Sequence, residues 1–161
     1  MRSVFALIAI AFVGTAGNVW LLSGLLPWYL LPDFSFLAIV YAGMFLTGTP
    51  GILVALLPAF FREVTTGAPT GSIFFASLGF YFLAREIGLR VFLRSEFLLL
   101  AVVATLLASE SIAVVLLMQI SGSHPYSLLW GCQEGVRIAW TSLVAVFLFV
   151  DLSSRWQGVR E

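Results

Sequence analysis

The chain has 161 residues, of which 61% are apolar and only 10% are charged. Soluble domains usually carry about 25% charged residues, so this composition excludes an ordinary soluble domain and indicates an integral membrane protein. Eight arginines balance eight acidic residues and there is no lysine, so no basic surface for nucleic acid is predicted. Cys132 and His124 each occur once, which argues against a disulfide, a zinc site or any other metal cofactor.

Apolar runs fall at residues 3–26, 34–47, 51–64, 72–89, 97–119 and 127–150. They predict an all-α, polytopic six-helix transmembrane bundle that forms one domain over residues 1–161. A helix needs roughly 20 residues to cross a bilayer, and the second and third runs are shorter than that. Those two runs, joined by a turn at Thr47–Gly51, form either two short or tilted spans or one re-entrant hairpin.

The arginines indicate the orientation of the bundle. Six of the eight lie near the N-terminus, in the connection after the fourth run or in the C-terminal tail: Arg2, Arg85, Arg90, Arg94, Arg155 and Arg160. Because arginine-rich segments stay on the cytoplasmic side, both termini are predicted to be cytoplasmic. The first run also resembles a secretory signal, but it continues after Asn18 to Leu26, so we expect it to be retained as a span.

Five charged residues fall at or inside the predicted spans: Arg62, Glu63, Glu110, Glu134 and Arg137. The helical rise places all five in the outer half of the membrane, with Ser109, Ser111 and Gln119 at similar depth. Glu134 and Arg137 are three residues apart and lie on one helix face. Two interpretations stay open: structural ion pairs that fix helix packing, or a polar cavity for a ligand or for a partner's side chains.

Catalysis is not expected. No Ser-His-Asp or Cys-His set can be assembled, and each acid has an arginine nearby that would keep it ionised and paired. Neighbouring residues on a helix point about 100° apart, so Arg62 is predicted to pair with an acid on another helix rather than with Glu63.

The stretch "REVTTGAPTG", residues 62–71, interrupts the apolar runs. An acid near a helix end, here Glu63, can accept hydrogen bonds from the amides of the following turn. Gly67 and Gly71 permit backbone angles that other residues resist, and Pro69 stiffens the break. We therefore predict that the helix breaks at the outer end of the bundle and that Glu63 anchors this break.

Three segments carry a family resemblance: "LPDFSFLAIVYAG" from residue 31, "GILVALLPAFFREVTTGAPTG" from residue 51, and "FYFLAREI" from residue 80. Together they resemble the rod-shape-determining MreD family, in which Pro-Asp opens the second span. In that family an acid closes the third span, and glycines follow four and eight residues later. The matching residues are Pro32, Asp33, Glu63, Gly67 and Gly71.

The resemblance covers about residues 28–95, and the last two helices match mainly in length and hydrophobicity. The chain departs from the family where Glu63 replaces the usual aspartate and where Arg62 replaces a neutral residue. The resemblance implies a non-enzymatic scaffold of the cell-elongation machinery in the bacterial inner membrane. It also implies binding to MreC, and an indirect link to MreB and to the peptidoglycan polymerase and transpeptidase pair.

An alternative is the substrate-binding S component of an energy-coupling-factor vitamin transporter, a six-span bundle with an outward-facing pocket. The first helix of those proteins often carries an Ala-x3-Ala face, and this first run has no strict match. A lipid-modifying membrane enzyme is a third class, for which the chain lacks a recognisable catalytic set.

Overall fold

The computed structural model describes residues 9, 12–14, 16, 27–46, 48–66, 71–90, 96–120 and 128–157. A short 3-10 helix at Trp28–Leu30 precedes five α-helices: α1 (Phe34–Phe45), α2 (Thr49–Thr66), α3 (Ser72–Arg90), α4 (Glu96–Ile120) and α5 (Leu128–Gln157). Residues 9, 12–14 and 16 are also helical. The described residues form helices joined by turns and contain no strand, which confirms the predicted all-α class.

The boundaries of α1 and α2 follow from local chemistry. Asp33 is the N-cap of α1, where its side chain accepts a hydrogen bond from the Phe36 N–H at 2.9 Å. The chain leaves α1 at Leu46 in an extended conformation and turns at Gly48, whose φ of 74° is unfavourable for a residue with a side chain. Pro50 stands in the first turn of α2, where its missing N–H needs no partner.

The second and third apolar runs therefore form two separate helices that pack against each other. Their 12 and 18 residues correspond to about 18 Å and 27 Å of helix. α2 continues through Pro58, which is buried. Because a short turn joins α1 to α2, the start of α1 and the end of α2 lie at the same end of the bundle.

α1, α2 and α3 form a three-helix unit in which each helix packs on the other two. Its core contains Phe36, Ile39, Val54 and Tyr81, none of which is exposed. Glycine permits the close approach of α1 and α3, because a Cβ on Gly43 would lie 2.6 Å from the carbonyl oxygen of Tyr81. Small residues are the usual means by which helix backbones approach this closely.

α4 and α5 form a second, two-helix unit that packs on the first. α3 contacts α4, and α5 contacts both α1 and the 3-10 helix at Trp28–Leu30. The rings of Tyr41 on α1 and Phe149 on α5 meet edge to face, with centroids 5.0 Å apart. An aromatic contact of this kind contributes about 0.5–1.5 kcal/mol beyond its buried area.

In the part of the chain that the structure describes, two helices are long and apolar enough to cross a membrane, over Phe97–Leu116 in α4 and Leu129–Val150 in α5. Large apolar side chains on three helices are exposed, namely Phe75 at 70%, Phe97 at 81% and Phe147 at 76%.

The first apolar run lies mostly outside the described residues. Its described part contacts the three-helix unit, where the ring centroids of Phe12 and Phe61 are 4.9 Å apart. Gly14 lies beside the ring of Phe34 at the start of α1. The described part of this run therefore contacts α1 and α2, while the role of the run as a membrane span stays a prediction.

Candidate functional site

Glu63, in the last turns of α2, binds the start of α3 through both carboxylate oxygens. Oε1 accepts a hydrogen bond from the Gly71 N–H at 2.7 Å, and Oε2 accepts one from the Phe74 N–H at 2.9 Å. These amides are among the four at a helix N-terminus that have no partner within the helix. The predicted acceptance of amide hydrogen bonds by Glu63 is thereby confirmed.

Gly71 occupies the N-cap position of α3, since its carbonyl oxygen accepts the Phe75 N–H at 2.9 Å. A glycine has no side-chain oxygen to bind the third amide of the helix, and the Glu63 carboxylate takes that role. The φ of Gly71 is 91°, a conformation that L side chains rarely adopt. Glu63 and Gly71 thus depend on each other, and the predicted positions Gly67 and Pro69 lie outside the described residues.

Arg137, in the third turn of α5, is held by two carboxylates. Its Nη2 and Nε atoms donate to Glu134 Oε1 at 2.6 Å and 3.1 Å. Its Nη1 atom donates to Asp33 Oδ2 at 3.4 Å, across 104 residues of sequence. Glu134 and Arg137 lie on one helix face as predicted, and there they form an ion pair that Asp33 joins as a third charge.

Two hydroxyls complete this group, which we call the Asp33–Arg137 network and define as Asp33, Ser111, Glu134, Arg137 and Thr141. The Ser111 hydroxyl donates to Glu134 Oε1 at 2.5 Å, and the Asp33 N–H donates to Thr141 Oγ1 at 3.3 Å. α1, α4 and α5 each contribute at least one member. The network therefore fastens the start of α1 to the two-helix unit.

The charges of the network are compensated mainly within it. Two carboxyl groups face one guanidinium within the network. The N-terminal amides of α1 stabilise Asp33, and the Ser111 hydroxyl stabilises Glu134. The side chains of Asp33, Glu134 and Arg137 are only 11%, 8% and 18% exposed, so mutual contacts replace most of their hydration.

The remaining predicted residues are placed as follows. Pro32 precedes the N-cap, and its carbonyl oxygen accepts the Phe34 N–H at 3.0 Å. Glu110 is buried on α4, with 3% exposure, next to Ser111 of the network. Arg62 lies in α2 and its side chain is outside the described part of the structure, so its pairing with another helix stays a prediction.

Sequence reasoning did not find Asp33 as a partner of Arg137, or Thr141 as a partner of Asp33. The sequence signalled only that an N-cap aspartate uses one oxygen for the helix amide and keeps the other for a cation, and it did not indicate which cation. A signal for Thr141 also existed, because it follows Arg137 by four residues and lies on the same helix face. Of the other polar residues predicted at this depth, Ser109 donates to the Thr105 carbonyl oxygen of its own helix at 2.8 Å, and Gln119 is exposed.

Among the described residues, no set of three His, Cys, Asp or Glu side chains is arranged to hold a metal ion. No protein-family model, curated protein or solved structure matches the chain.

Proposed function

We propose that the chain is a multi-pass protein of the bacterial inner membrane, with six spans and both termini in the cytoplasm. α4 and α5 support membrane insertion, because only 28% of the candidate span in each helix is buried inside the protein. The core helix of a soluble protein would be mostly buried. The exposed Phe75, Phe97 and Phe147 side chains would carry a large cost in water and none in a hydrocarbon interior.

Within that membrane, the protein acts as a non-enzymatic scaffold of the MreD type. The observation that carries this proposal is that Asp33, Glu63 and Gly71, on which the resemblance rests, all fix helix ends. Asp33 begins α1 and contacts α5, while Glu63 and Gly71 join α2 to α3. A protein that presents a fixed surface to other membrane proteins needs its helix ends held in this way.

The Asp33–Arg137 network also favours a scaffold over a ligand-binding subunit. Each nitrogen of the Arg137 guanidinium donates one hydrogen bond, two to Glu134 and one to Asp33, so three of its five N–H donors are directed at groups of the same chain. In a substrate-binding subunit, an arginine at this depth would direct most of its donors at a ligand. The partner in the proposed function is MreC, with MreB and the peptidoglycan polymerase and transpeptidase pair linked indirectly.

Co-purification with MreC tests the proposal. The tagged chain and an untagged MreC are expressed together, extracted in a mild detergent and purified through the tag, with the bound small molecules analysed by mass spectrometry. We expect MreC to be recovered with the chain and no vitamin to be bound. A folded, monodisperse chain that carries a vitamin and recovers no MreC would instead identify a transporter subunit.

A matched pair of variants makes the test specific to the outer end of the bundle. Glu63→Gln weakens the junction of α2 and α3, whereas Glu86→Gln alters an exposed pair with Arg90 on α3. We expect less MreC to be recovered with Glu63→Gln and an unchanged amount with Glu86→Gln. Equal recovery with both variants would remove Glu63 from the residues that support partner binding.

A further inference from the structure

We draw no further inference here: the strongest candidate, the face of α5 that presents Gly131 and Gly135 with open space beside each and the exposed side chains of Val136 and Leu143, is a small-residue stripe on an apolar helix, and nothing in the described structure shows what covers it.

Discussion

Glu63 supplies from α2 the hydrogen-bond acceptor that Gly71 lacks at the start of α3. The carboxylate accepts the Gly71 N–H at 2.7 Å and the Phe74 N–H at 2.9 Å, while the backbone of Gly71 turns with a φ of 91°. The negative carboxylate also lies at the positive end of the α3 dipole. The position at which α3 begins is therefore set jointly by Glu63 and Gly71, which are eight positions apart in sequence.

Replacement of Glu63 by glutamine should weaken this junction. The glutamine amide keeps one acceptor oxygen, loses the second and removes the charge from the helix N-terminus. We expect the free energy of unfolding to fall by about 1–2 kcal/mol. Thermal unfolding in detergent micelles, followed by the fluorescence of the five tryptophans, measures the change.

Glu86→Gln is the control for this prediction, because Glu86 and Arg90 form an exposed pair four residues apart on α3. Exposed pairs of this kind contribute about 0.3–0.5 kcal/mol. If the Glu63→Gln variant unfolds at the same temperature as the unsubstituted chain, the capping role of Glu63 is contradicted.

Two substitutions at Asp33 separate its roles as helix cap and as counter-ion. Asparagine is as good an N-cap as aspartate, so Asp33→Asn should preserve the bond to the Phe36 N–H and lose only the charge that faces Arg137. Asp33→Ala should lose both interactions. We expect Asp33→Ala to be less stable than Asp33→Asn by about 1 kcal/mol, as measured by thermal unfolding of both variants.

A double substitution at Asp33 and Arg137 tests whether the ion pair between them stabilises the protein. In a chain that already carries Arg137→Gln, Asp33→Asn should cost less than it does alone, because the guanidinium that the carboxylate binds is absent. Equal effects of Asp33→Asn in both backgrounds would show that Asp33 and Arg137 do not interact, since independent sites give additive changes.

Gly43→Ala should destabilise the three-helix unit. The added methyl group would lie 2.6 Å from the Tyr81 carbonyl oxygen and 2.8 Å from the Ala84 Cβ, so α1 and α3 must separate. We expect a loss of about 1–3 kcal/mol. Gly79→Ala on α3 is the matched control, because nothing lies within 4 Å of its added methyl group. There the helix propensity of alanine should keep or raise stability, and equal losses in both variants would refute the close approach.

Cysteine labelling in intact cells tests the proposed topology. Cys132 is exposed and is first replaced by alanine, after which single cysteines are placed at Ser95 and Ser123 in the segments before and after α4. A membrane-impermeant thiol reagent should label Ser123→Cys from outside. Ser95→Cys should react only after permeabilisation, and the reverse pattern would invert the orientation inferred from the arginines.

The helices could be predicted from the sequence because apolar runs and turn residues are local signals. The predicted run at residues 72–89 corresponds to α3, and the run at residues 97–119 corresponds to α4, each within one residue at both ends. The pairing of Glu134 with Arg137 was equally local, since a spacing of three residues on a helix brings the two side chains together.

The contact of Asp33 with Arg137 could not be predicted in the same way. The two residues are 104 positions apart, and their contact depends on how the two-helix unit packs on the three-helix unit. Spacing along the chain carries no information about that packing. The same limit applies to Ser111, whose predicted depth was shared with Ser109, although only Ser111 faces Glu134.

Tyr81 has consequences for any attempt to redesign the three-helix unit. Its carbonyl oxygen lies where a side chain on Gly43 would begin, and its hydroxyl oxygen lies 3.0 Å from the position of a Cβ on Gly51. One residue of α3 thereby restricts one position on α1 and one on α2. The restriction on Gly43 comes from a backbone atom and persists whatever residue stands at position 81, whereas the contact with Gly51 ends if the tyrosine loses its hydroxyl.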